Sequence, residues 1–372
     1  MHSPKFLIEK FLKNDPLDID KKVKDKILVE LFKFQLNFHI RNCNQYKNWF
    51  KKMNFKDPKK IFKLNEIPYL PNRVFKENIL KSTNKFSKKI LSSGTSGSRS
   101  SQIFIDQNTS YLQKLCLAKI LTKYIGVKRR TFFVFDVDPM HTKVDFEISA
   151  RTAGITGYLM GANKVVYLLE SNPEKKVKFN SKKLNFFFSE LKKSPCVIIG
   201  YTYMIWKYLV KEKLVKKSLK DINKKTKLIH FGGWKKLNQK KVSKKFFNSE
   251  ILKVLNIPID SVLDIYGFTE QLGNVYVSEG NSGKRVGSYA HVIIRDINTL
   301  EEVEDGKSGF IQCLSPLSLS YPGFSILNDD IGKIVKRENR KDTEILEFEI
   351  QDRVENLEPR GCGDTLPSNY YE

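Results

Sequence analysis

A loop rich in hydroxyl groups and glycine lies between two apolar stretches of the sequence. It contains Ser93, Gly94, Thr95, Ser96 and Gly97, with Arg99 two positions further on. Glycine lets backbone N–H groups turn toward one point and the hydroxyls add donors, so the loop has the chemistry to surround an anion such as a phosphate. The Walker A spacing is absent because no lysine follows at the required place. Taken alone, such a loop is more often an ordinary flexible turn.

A second group of polar residues follows the apolar stretch SVLDI. Tyr266 and Gly267 come directly after it, and Thr269 and Glu270 follow two positions later. A threonine hydroxyl can bond a phosphate oxygen, and a glutamate can hold a Mg²⁺ ion that bridges phosphates. Alone, the same residues also describe a turn at a strand end, in which Glu270 caps the next helix.

Two further strand-like stretches end in turns with binding chemistry. In HFGGWKK, Gly232 and Gly233 let a flat ring lie against the backbone, with Trp234 as a neighbouring wall. In LNDDIGKI, Asp330 precedes a glycine turn, where its carboxylate can accept both hydroxyls of a ribose. The plainer interpretations are a tight turn with a packed tryptophan in the first case and an Asp-Gly hairpin turn in the second.

One of the five cysteines differs from the others in its surroundings. Cys362 lies between Gly361 and Gly363 and follows Arg360, in a polar segment. A thiolate is the reactive form of cysteine and an adjacent cation lowers the pKa of a thiol, so the pattern favours a nucleophile, against the alternative of a chance cysteine in a frayed tail. The cysteines form no CxxC or Cys/His cluster, which predicts no zinc site and a reducing, cytoplasmic location.

Composition and charge restrict the class of protein. The 372 residues are 40% hydrophobic and 12% aromatic, enough for a large core. The sequence contains no long apolar run, which predicts no transmembrane segment, and its start resembles no export signal. The net charge of +25 is spread evenly as lysine. Compositional bias explains it best, attraction of an acidic partner protein comes second, and nucleic-acid binding third.

The helices and strands that must position these residues are predicted from two patterns, apolar residues at helical spacing and short β-branched runs. Residues 1–89 predict a mainly helical region that is broken near an asparagine cluster. Residues 90–345 alternate helical patterns with β-branched runs, which predicts a layered α/β domain with mixed sheets. The strand candidates are QIFI, TFFVFDV, KVVYLL, CVIIG, KLIHFGG, VLDIYG, GSYAHVIIRDI and GFIQCL. After Ile331 the sequence turns polar before a last strand candidate, ILEFEIQ, and residues 346–372 read as a hinge-like segment and a short tail.

The order of the motifs resembles that of the adenylate-forming enzymes, the superfamily of acyl-CoA synthetases, luciferases and peptide-synthetase adenylation domains. SSGTSGS is similar to their phosphate loop, FGGWKK to their adenine-side segment, YGFTE to their YGxTE motif and NDDIG to their TGDxG motif. FDVDPMH resembles their strand-then-PxxH step, and SPCVIIGYTYMIWKYL resembles the segment that lines their carboxylate pocket. The resemblance covers residues 90–362 and implies a large α/β domain of mixed sheets and helices.

Two departures narrow the resemblance. The phosphate loop of the superfamily usually ends in Pro-Lys, whereas Arg99 and Ser100 occupy these positions in this sequence. Either Arg99 supplies the positive charge, or the loop binds the phosphates less tightly. Most members also continue with a mobile C-terminal domain that carries a catalytic lysine, and a truncated tail is expected in its place. QDRVENLEPRGCGD is similar to the hinge motif. With GGWKK and the terminal RGC, the sequence resembles the LuxE-type acyl-protein synthetases, in which a cysteine near the C-terminus receives an acyl group.

The resemblance implies a two-step reaction. ATP and Mg²⁺ would activate a carboxylic acid, a fatty acid in this family, to an acyl-adenylate, and Cys362 would then take the acyl group for delivery to a partner reductase or an acidic acyl carrier. The implied contacts are Ser93 to Gly97 and Arg99 for the phosphates, Gly267 for ATP, Thr269 for the α-phosphate, Glu270 for Mg²⁺, Gly232, Gly233 and Tyr266 for the adenine, Asp330 and Arg353 for the ribose, and His141 and Tyr201 for the acyl group. Two alternatives stay open: a ligase that uses a free thiol such as CoA, and a basic nucleic-acid-binding protein.

Overall fold

The structure is a computed structural model that describes residues 3–92, 100–138, 147–171, 177–212, 221–234 and 241–353. Its helices are α1 (Pro4–Phe11), α2 (Lys21–Asn42), α3 (Asn44–Lys52), α4 (Val74–Glu77), α5 (Gln107–Ile125), α6 (Ala150–Tyr158), α7 (Ser181–Lys193), α8 (Thr202–Ile205) and α9 (Lys244–Leu255). Its strands are β1 (Leu70–Pro71), β2 (Lys88–Leu91), β3 (Gln102–Ile105), β4 (Arg130–Val137), β5 (Glu147–Ser149), β6 (Ala162–Ser171), β7 (Val177–Phe179), β8 (Val197–Tyr201), β9 (Lys227–Phe231), β10 (Val262–Tyr266), β11 (Tyr276–Glu279), β12 (Lys284–Arg285), β13 (His291–Arg295), β14 (Gly309–Leu314), β15 (Ser325–Arg340) and β16 (Thr343–Arg353).

Side-chain caps define where several helices begin. The residue before each of these helices accepts a hydrogen bond from the backbone N–H three positions later, which satisfies a donor that the helix itself leaves unpaired. The capping residues are Ser3, Asp20, Asp106, Asn180 and Ser243. The predicted break near the asparagine cluster is confirmed, because the extended backbone of Cys43 separates α2 from α3. Of the described helices, none combines the length and the apolar composition that crossing a bilayer requires.

One large sheet organises the described residues, and the predicted mixed α/β class is confirmed. Its thirteen strands include the path β13-β14-β15-β16-β12-β11-β10-β9-β8-β4-β6-β7, with β1 beside β15. The strands β6, β4, β8, β9 and β10 are parallel neighbours, whereas the strands from β11 to β13 along that path are antiparallel. A smaller sheet, β3-β2-β5, carries the hydroxyl-rich loop between β2 and β3. The carboxyl ends of the parallel strands therefore share one edge of the large sheet.

The antiparallel half of the large sheet curls back toward the parallel half. The Tyr266 hydroxyl at the end of β10 donates a hydrogen bond of 2.6 Å to Asp330 on β15. In the strand order, β11, β12 and β16 lie between these two strands, and four steps across a flat sheet would separate them by about 19 Å. A second hydrophobic cluster, which includes Tyr276, Ile311 and Phe348, fills the inside of this curl. Curling therefore brings β15 to the end of β10.

The strand predictions are confirmed for all the candidates, each of which overlaps with a strand, but one polar stretch was missed. GKIVKRENRKDTE, in which no strand was predicted, forms the outer half of β15 and the start of β16. Cross-strand ion pairs join Lys333 to Glu349 at 3.2 Å and Arg337 to Glu344 at 3.2 Å. Pairing between the two strands, together with burial of Ile334 in the second hydrophobic cluster, holds this hairpin in place. Residues 1–89, for which a mainly helical region was predicted, contain α1, α2 and α3 as far as Lys52; short turns, the one-turn α4 and two short strands follow.

Candidate active site

Four neighbouring parallel strands end at one edge of the sheet, and each end carries a segment singled out from the sequence. β4 leads into FDVDPMH, β8 ends at Tyr201, β9 ends next to Gly232, and β10 ends at Tyr266. Ligands of open α/β sheets bind in the crevice outside the carboxyl ends of parallel strands. This edge is therefore the candidate active site.

The glycine pair after β9 has a conformation and a space that favour glycine. Gly232 adopts a φ of +71°, in the left-handed region, and a Cβ at this position would lie 3.0 Å from Cδ1 of Tyr201. Among the described residues, no atom would lie within 4 Å of a Cβ on Gly233. Both glycines are exposed between the buried Phe231 and Trp234. Gly233 thus presents exposed backbone, as a flat ring stacking on the turn would need, while the contact of the turn with adenine stays a prediction.

Thr202, which the sequence analysis missed, holds this turn. It is the first residue of α8, directly after Tyr201, and its buried hydroxyl lies 2.8 Å from the carbonyl oxygen of Gly232 and 3.0 Å from Nδ1 of His230. The carbonyl oxygen of Phe231 is 3.3 Å away. Threonine at a strand-to-helix junction is common, so the type of this residue alone carried no signal.

A charged pair lies behind the same turn, on β10 and β12. The Lys284 ammonium lies 2.7 Å from the Asp264 carboxylate and donates a second hydrogen bond of 2.8 Å to the backbone carbonyl of Asp264. Only 8% of the Lys284 side chain and 25% of the Asp264 side chain are exposed. Burial alone would raise the pKa of Asp264, but Lys284, His230 and Lys244 outweigh it and hold the pKa well below its usual range. The carboxyl group is therefore ionised at neutral pH.

Tyr266 and Asp330, predicted on separate motifs, meet in the structure. The hydrogen bond of 2.6 Å from Tyr266 joins residues that are 64 positions apart in the sequence. Asp330 also pairs with Arg353 in the register of β15 and β16. The structure thus brings the predicted adenine-side tyrosine and the two predicted ribose-side residues to one place, at the edge where β10 ends.

Thr269 and Glu270 form a single 3₁₀ turn with Gln271. Glu270 is 6% exposed. Gln271, a further residue that the sequence analysis missed, donates from its amide to the backbone carbonyls of Cys313 at 3.2 Å and Gly323 at 3.1 Å. These contacts tie the turn to the loop between β14 and β15, so the loop that leads into Asp330 also positions Glu270.

That loop, residues 315–324, is buried along its whole length, which no sequence pattern predicted. Its backbone groups bond to side chains from two helices. Gln35 donates to the carbonyl of Pro316 at 2.7 Å, and the Thr109 hydroxyl accepts from the N–H of Ser320 at 3.0 Å. His39 lies 3.2 Å from the carbonyl of Ser318 and stacks on Phe324. A buried loop needs such partners because its backbone groups are withdrawn from water.

Several predicted site residues lie outside the described residues: Ser93, Gly94, Thr95, Ser96, Gly97, Arg99, His141 and Cys362. The base of the hydroxyl-rich loop is described, and there the N–H of Ser92 bonds the carbonyl of Ser101 at 3.0 Å. Tyr201 is buried; it packs on Phe231, with ring centroids 4.7 Å apart, and next to Gly232. Its predicted contact with an acyl group stays a prediction.

The described cysteines are all free and buried: Cys43, Cys116, Cys196 and Cys313. Burial raises the pKa of Cys196 to about 11 and of Cys313 to about 12, and it raises the pKa of the other two as well. Because the thiolate is the nucleophilic form, these four thiols are inert near neutral pH.

Solved structures share this fold. A crystal structure of 2-hydroxyisobutyryl-CoA ligase in an open conformation, in complex with 2-HIB-AMP and CoA, matches 90% of this chain and 76% of that chain with a TM-score of 0.65 at 12% identity. A crystal structure of the same ligase in the postadenylation state, in complex with R3-HIB-AMP, matches 90% and 69% with a TM-score of 0.65 at 13% identity. The fold of this chain is therefore similar to that of 2-hydroxyisobutyryl-CoA ligase.

The family follows from the sequence. The model of the acyl-protein synthetases, LuxE, matches residues 5–370, so the chain belongs to this family. The chain is also similar to the long-chain-fatty-acid–luciferin-component ligase of Vibrio harveyi, with 22% identity over 339 residues, which cover 89% of this chain and 85% of the relative. The protein is therefore an enzyme, a ligase of the adenylate-forming class, whose members use ATP, and the family resemblance stated from the order of the motifs is confirmed.

Proposed function

We propose that the protein activates a long-chain fatty acid with ATP and transfers the acyl group to its own Cys362. A partner protein, a reductase or an acyl carrier, then takes the acyl group from the thioester. The acid is inferred from the name of the Vibrio harveyi relative, and the acceptor from the LuxE family. The observation that carries the proposal is the meeting of Tyr266 and Asp330 beside the exposed glycine pair, because a nucleoside needs a ring surface and a ribose acceptor at one site.

The first step joins the acid to AMP. A carboxylate oxygen forms a bond to the α-phosphorus of ATP, the bond from that phosphorus to the bridging oxygen breaks, and pyrophosphate leaves. Two anions must meet in this step, so donors and positive charge near the phosphorus lower its barrier. Arg99 and the backbone of the Ser93–Gly97 loop supply them, with Gly267 at the same end of β10, and Thr269 orients the α-phosphate.

Glu270 is the residue that would hold Mg²⁺. A bound Mg²⁺ ion neutralises phosphate charge. It is held in nucleotide sites by one or two carboxylates together with substrate phosphates and water, so it needs no cluster of acidic residues. The described residues contain no group of three or more metal-ligating side chains, and the single buried carboxylate of Glu270 fits this mode of binding.

The second step moves the acyl group to sulfur. The Cys362 thiolate forms a bond to the acyl carbonyl carbon, the bond from that carbon to the phosphate oxygen breaks, and AMP leaves. Cys362 is nine positions beyond Arg353, whose strand pairs with Asp330. Nine extended residues span about 30 Å, so the chain is long enough for the thiol to reach the nucleotide edge. The inertness of the four buried thiols supports the choice of Cys362.

The charge of the protein suits an acidic partner. The net charge of +25 creates a positive potential that speeds the encounter with an anionic protein surface. An acidic acyl carrier or the acidic face of a reductase would use this attraction, and nucleic acid is not required to explain it.

Labelling with radioactive fatty acids tests the proposal. The purified protein is incubated with ATP, Mg²⁺ and a panel of radiolabelled long-chain fatty acids, and both pyrophosphate release and protein-bound label are measured. We expect label that hydroxylamine removes, as it does a thioester. Cys362→Ser should abolish the label and keep acid-dependent pyrophosphate exchange, whereas the matched variant Cys196→Ser should keep both. Glu270→Ala should lower the exchange by about 10²-fold, the typical cost of losing one electrostatic group.

Each contrary outcome points to a different function. Label that survives Cys362→Ser contradicts the tail nucleophile. Absence of protein label, with thioester formed on added CoA instead, identifies a free-thiol ligase. Absence of exchange with every acid, together with tight and salt-sensitive binding of nucleic acid, would favour the basic binding protein.

A further inference from the structure

We propose that four side chains form a polar chain that positions the glycine turn for ATP. The members of this polar chain are Thr202, His230, Asp264 and Lys284, which run from the turn across β9 and β10 to β12. None of them needs to touch the nucleotide. The inference rests on the proposed function, because it assumes that the adenine lies on the glycine turn.

The first link joins Thr202 to the turn itself. A hydroxyl has one hydrogen and carbonyl oxygens only accept, so the Thr202 hydroxyl donates to the Gly232 carbonyl, the nearer one at 2.8 Å. That carbonyl belongs to the residue with the left-handed φ, at the position where the chain reverses. Pinning its carbonyl fixes the plane of the next peptide bond and hence the direction in which the backbone of Gly233 faces.

The second link sets the orientation of the hydroxyl. With its hydrogen used, Thr202 must accept at its other side, so Nδ1 of His230, 3.0 Å away, carries the proton and donates. Nε2 of His230 is then an unprotonated acceptor, and among the described residues it is buried without a hydrogen-bond partner. A buried polar atom left without a partner costs stability, which indicates that the geometry is maintained for Nδ1 and Thr202.

The third link holds the proton on Nδ1. The Asp264 carboxylate lies 3.9 Å from Nδ1, beyond hydrogen-bond range but close enough for its charge to favour a proton on that nitrogen. The Lys284 ammonium holds Asp264 in place through two contacts, one with the Asp264 carboxylate and one with the Asp264 backbone carbonyl. Burial, against the opposing effect of Asp264, lowers the pKa of His230 to about 4, and Lys284 and Lys244 add to the lowering. His230 is therefore neutral near pH 7, as the orientation of the Thr202 hydroxyl requires.

The polar chain also connects the glycine turn to Tyr266. Asp264 and Tyr266 are two positions apart on β10, so their side chains leave the same face of the strand, while Leu263 and Ile265 are buried on the other. Clamping Asp264 from β12 therefore fixes the strand end that carries Tyr266. One set of contacts thus sets the relative position of both surfaces proposed for adenine.

Substitution of Thr202 tests the inference by nucleotide affinity. ATP binding is measured by calorimetry, and the KM values for ATP and for the acid by pyrophosphate exchange. Thr202→Val keeps the shape of the side chain and removes the hydroxyl. We expect it to raise the ATP dissociation constant about tenfold, the effect of losing one hydrogen bond of about 1.4 kcal/mol, and to leave the KM for the acid within about twofold. Thr202→Ser restores the hydroxyl and should restore the affinity.

The matched control is Thr226→Val, at the opposite ends of the same strands. Thr226 is buried directly before β9, and its hydroxyl accepts from the N–H of Cys196 at 3.3 Å. This variant should lose a comparable amount of thermal stability and keep the ATP affinity. If Thr202→Val and Thr226→Val leave ATP affinity equally unchanged, the polar chain is only structural and the inference is wrong.

Failure of Thr202→Val to fold, and failure of the wild type to bind ATP or to catalyse exchange, each have a defined meaning for the inference. Should Thr202→Val fail to fold, His230→Asn and His230→Leu replace it. Asparagine keeps an N–H near the position of Nδ1 and should retain ATP affinity, whereas leucine should lose it. Equal affinity in the two variants contradicts the inference. If the wild type binds ATP without any acid-dependent exchange, the proposed reaction is wrong while the binding comparison still decides the role of the polar chain; a wild type that binds no ATP overturns both.

Discussion

The hydrogen bond from Tyr266 to Asp330 is the residue-scale feature that ties the candidate site together. Burial, and after it the Asp330 carboxylate, raise the pKa of the Tyr266 hydroxyl well above its usual range. The hydroxyl therefore remains a donor throughout the neutral range. A hydrogen bond to a charged acceptor is worth about 1.5–3 kcal/mol, so this bond is strong enough to hold Asp330 in one orientation.

We predict that Tyr266→Phe weakens ATP binding. The variant keeps the aromatic ring and removes one of the hydrogen bonds that orient Asp330 before the ribose binds. The ATP dissociation constant should rise about tenfold or more, as expected when an interaction of this strength no longer preorganises the site. Calorimetric titration with ATP measures the change.

Tyr289→Phe is the control for this prediction. Tyr289 is also buried, and its hydroxyl donates to the carbonyl of Asn14 at 2.5 Å in the N-terminal segment, with the carbonyl of Leu12 3.0 Å away. The variant should lower the temperature of unfolding and leave ATP binding unchanged. Equal ATP affinities in Tyr266→Phe and the wild type would show that the hydroxyl has no part in nucleotide binding.

At the scale of elements, the buried loop 315–324 is held by helices that are distant in sequence. His39 on α2 bonds the Ser82 hydroxyl at 2.7 Å and the Ser318 carbonyl at 3.2 Å, and its ring lies parallel to that of Phe324. Burial lowers the pKa of His39 to about 3. The helix thus supports the loop only while His39 is neutral.

We predict that His39 makes the fold sensitive to acid. Between pH 6.5 and pH 3 the unfolded chain binds a proton at His39 and the folded chain does not, so the free energy of unfolding falls as the pH falls through this range. One such group contributes a slope of about 1.4 kcal/mol per pH unit. His39→Gln, which cannot titrate, should reduce the slope of the wild type by about that amount between pH 4 and pH 6.

Urea unfolding across this pH range provides the measurement. The variant should be less stable than the wild type at pH 7, because glutamine replaces only part of the hydrogen bonding of His39, and the difference should shrink as the pH falls. Parallel curves for the two proteins, with the same slope throughout, would mean that His39 is not kept neutral by its burial.

At the scale of the whole molecule, the two halves of the large sheet meet at the proposed nucleotide site. The parallel half supplies the glycine turn and Tyr266, and the curled antiparallel half supplies Asp330 on β15. A nucleotide bound to both halves would stabilise the entire fold, since a ligand at a hundred times its dissociation constant adds about 2.7 kcal/mol.

We predict that ATP stabilises the protein more than 2′,3′-dideoxy-ATP does. The analogue lacks the two ribose hydroxyls from which Asp330 is proposed to accept hydrogen bonds. Its affinity should therefore be at least tenfold lower, and the stabilisation that it gives at equal concentration about 1.4 kcal/mol smaller. Urea unfolding with each nucleotide measures the difference, and in Asp330→Ala, which has no side-chain acceptor, this difference should shrink. Equal stabilisation of the wild type by ATP and by the analogue would contradict the proposed contact between Asp330 and the ribose.

Local chemistry was sufficient for much of the prediction. β3 and β14 coincide with the candidates QIFI and GFIQCL, because their apolar and β-branched residues favour strands wherever they are buried. The turn at the glycine pair was predicted from the residue types alone, because only backbone chemistry is needed to describe it, and its role in binding stays a prediction. The polar hairpin of β15 and β16 was missed because pairing with a partner strand and burial of Ile334 against distant residues stabilise it, and neither is visible in a local pattern.

The sequence by itself determined the strands, the turns at their ends and the order of the motifs, from which the family could be stated. Only the tertiary structure decided which of these turns face one another. The Tyr266–Asp330 bond depends on the curl of the sheet, and the polar chain from Thr202 to Lys284 depends on the order in which strands lie side by side. Local periodicity reports which residues are buried, whereas contacts between distant residues depend on strand order and sheet curvature, which emerge only when the whole chain packs.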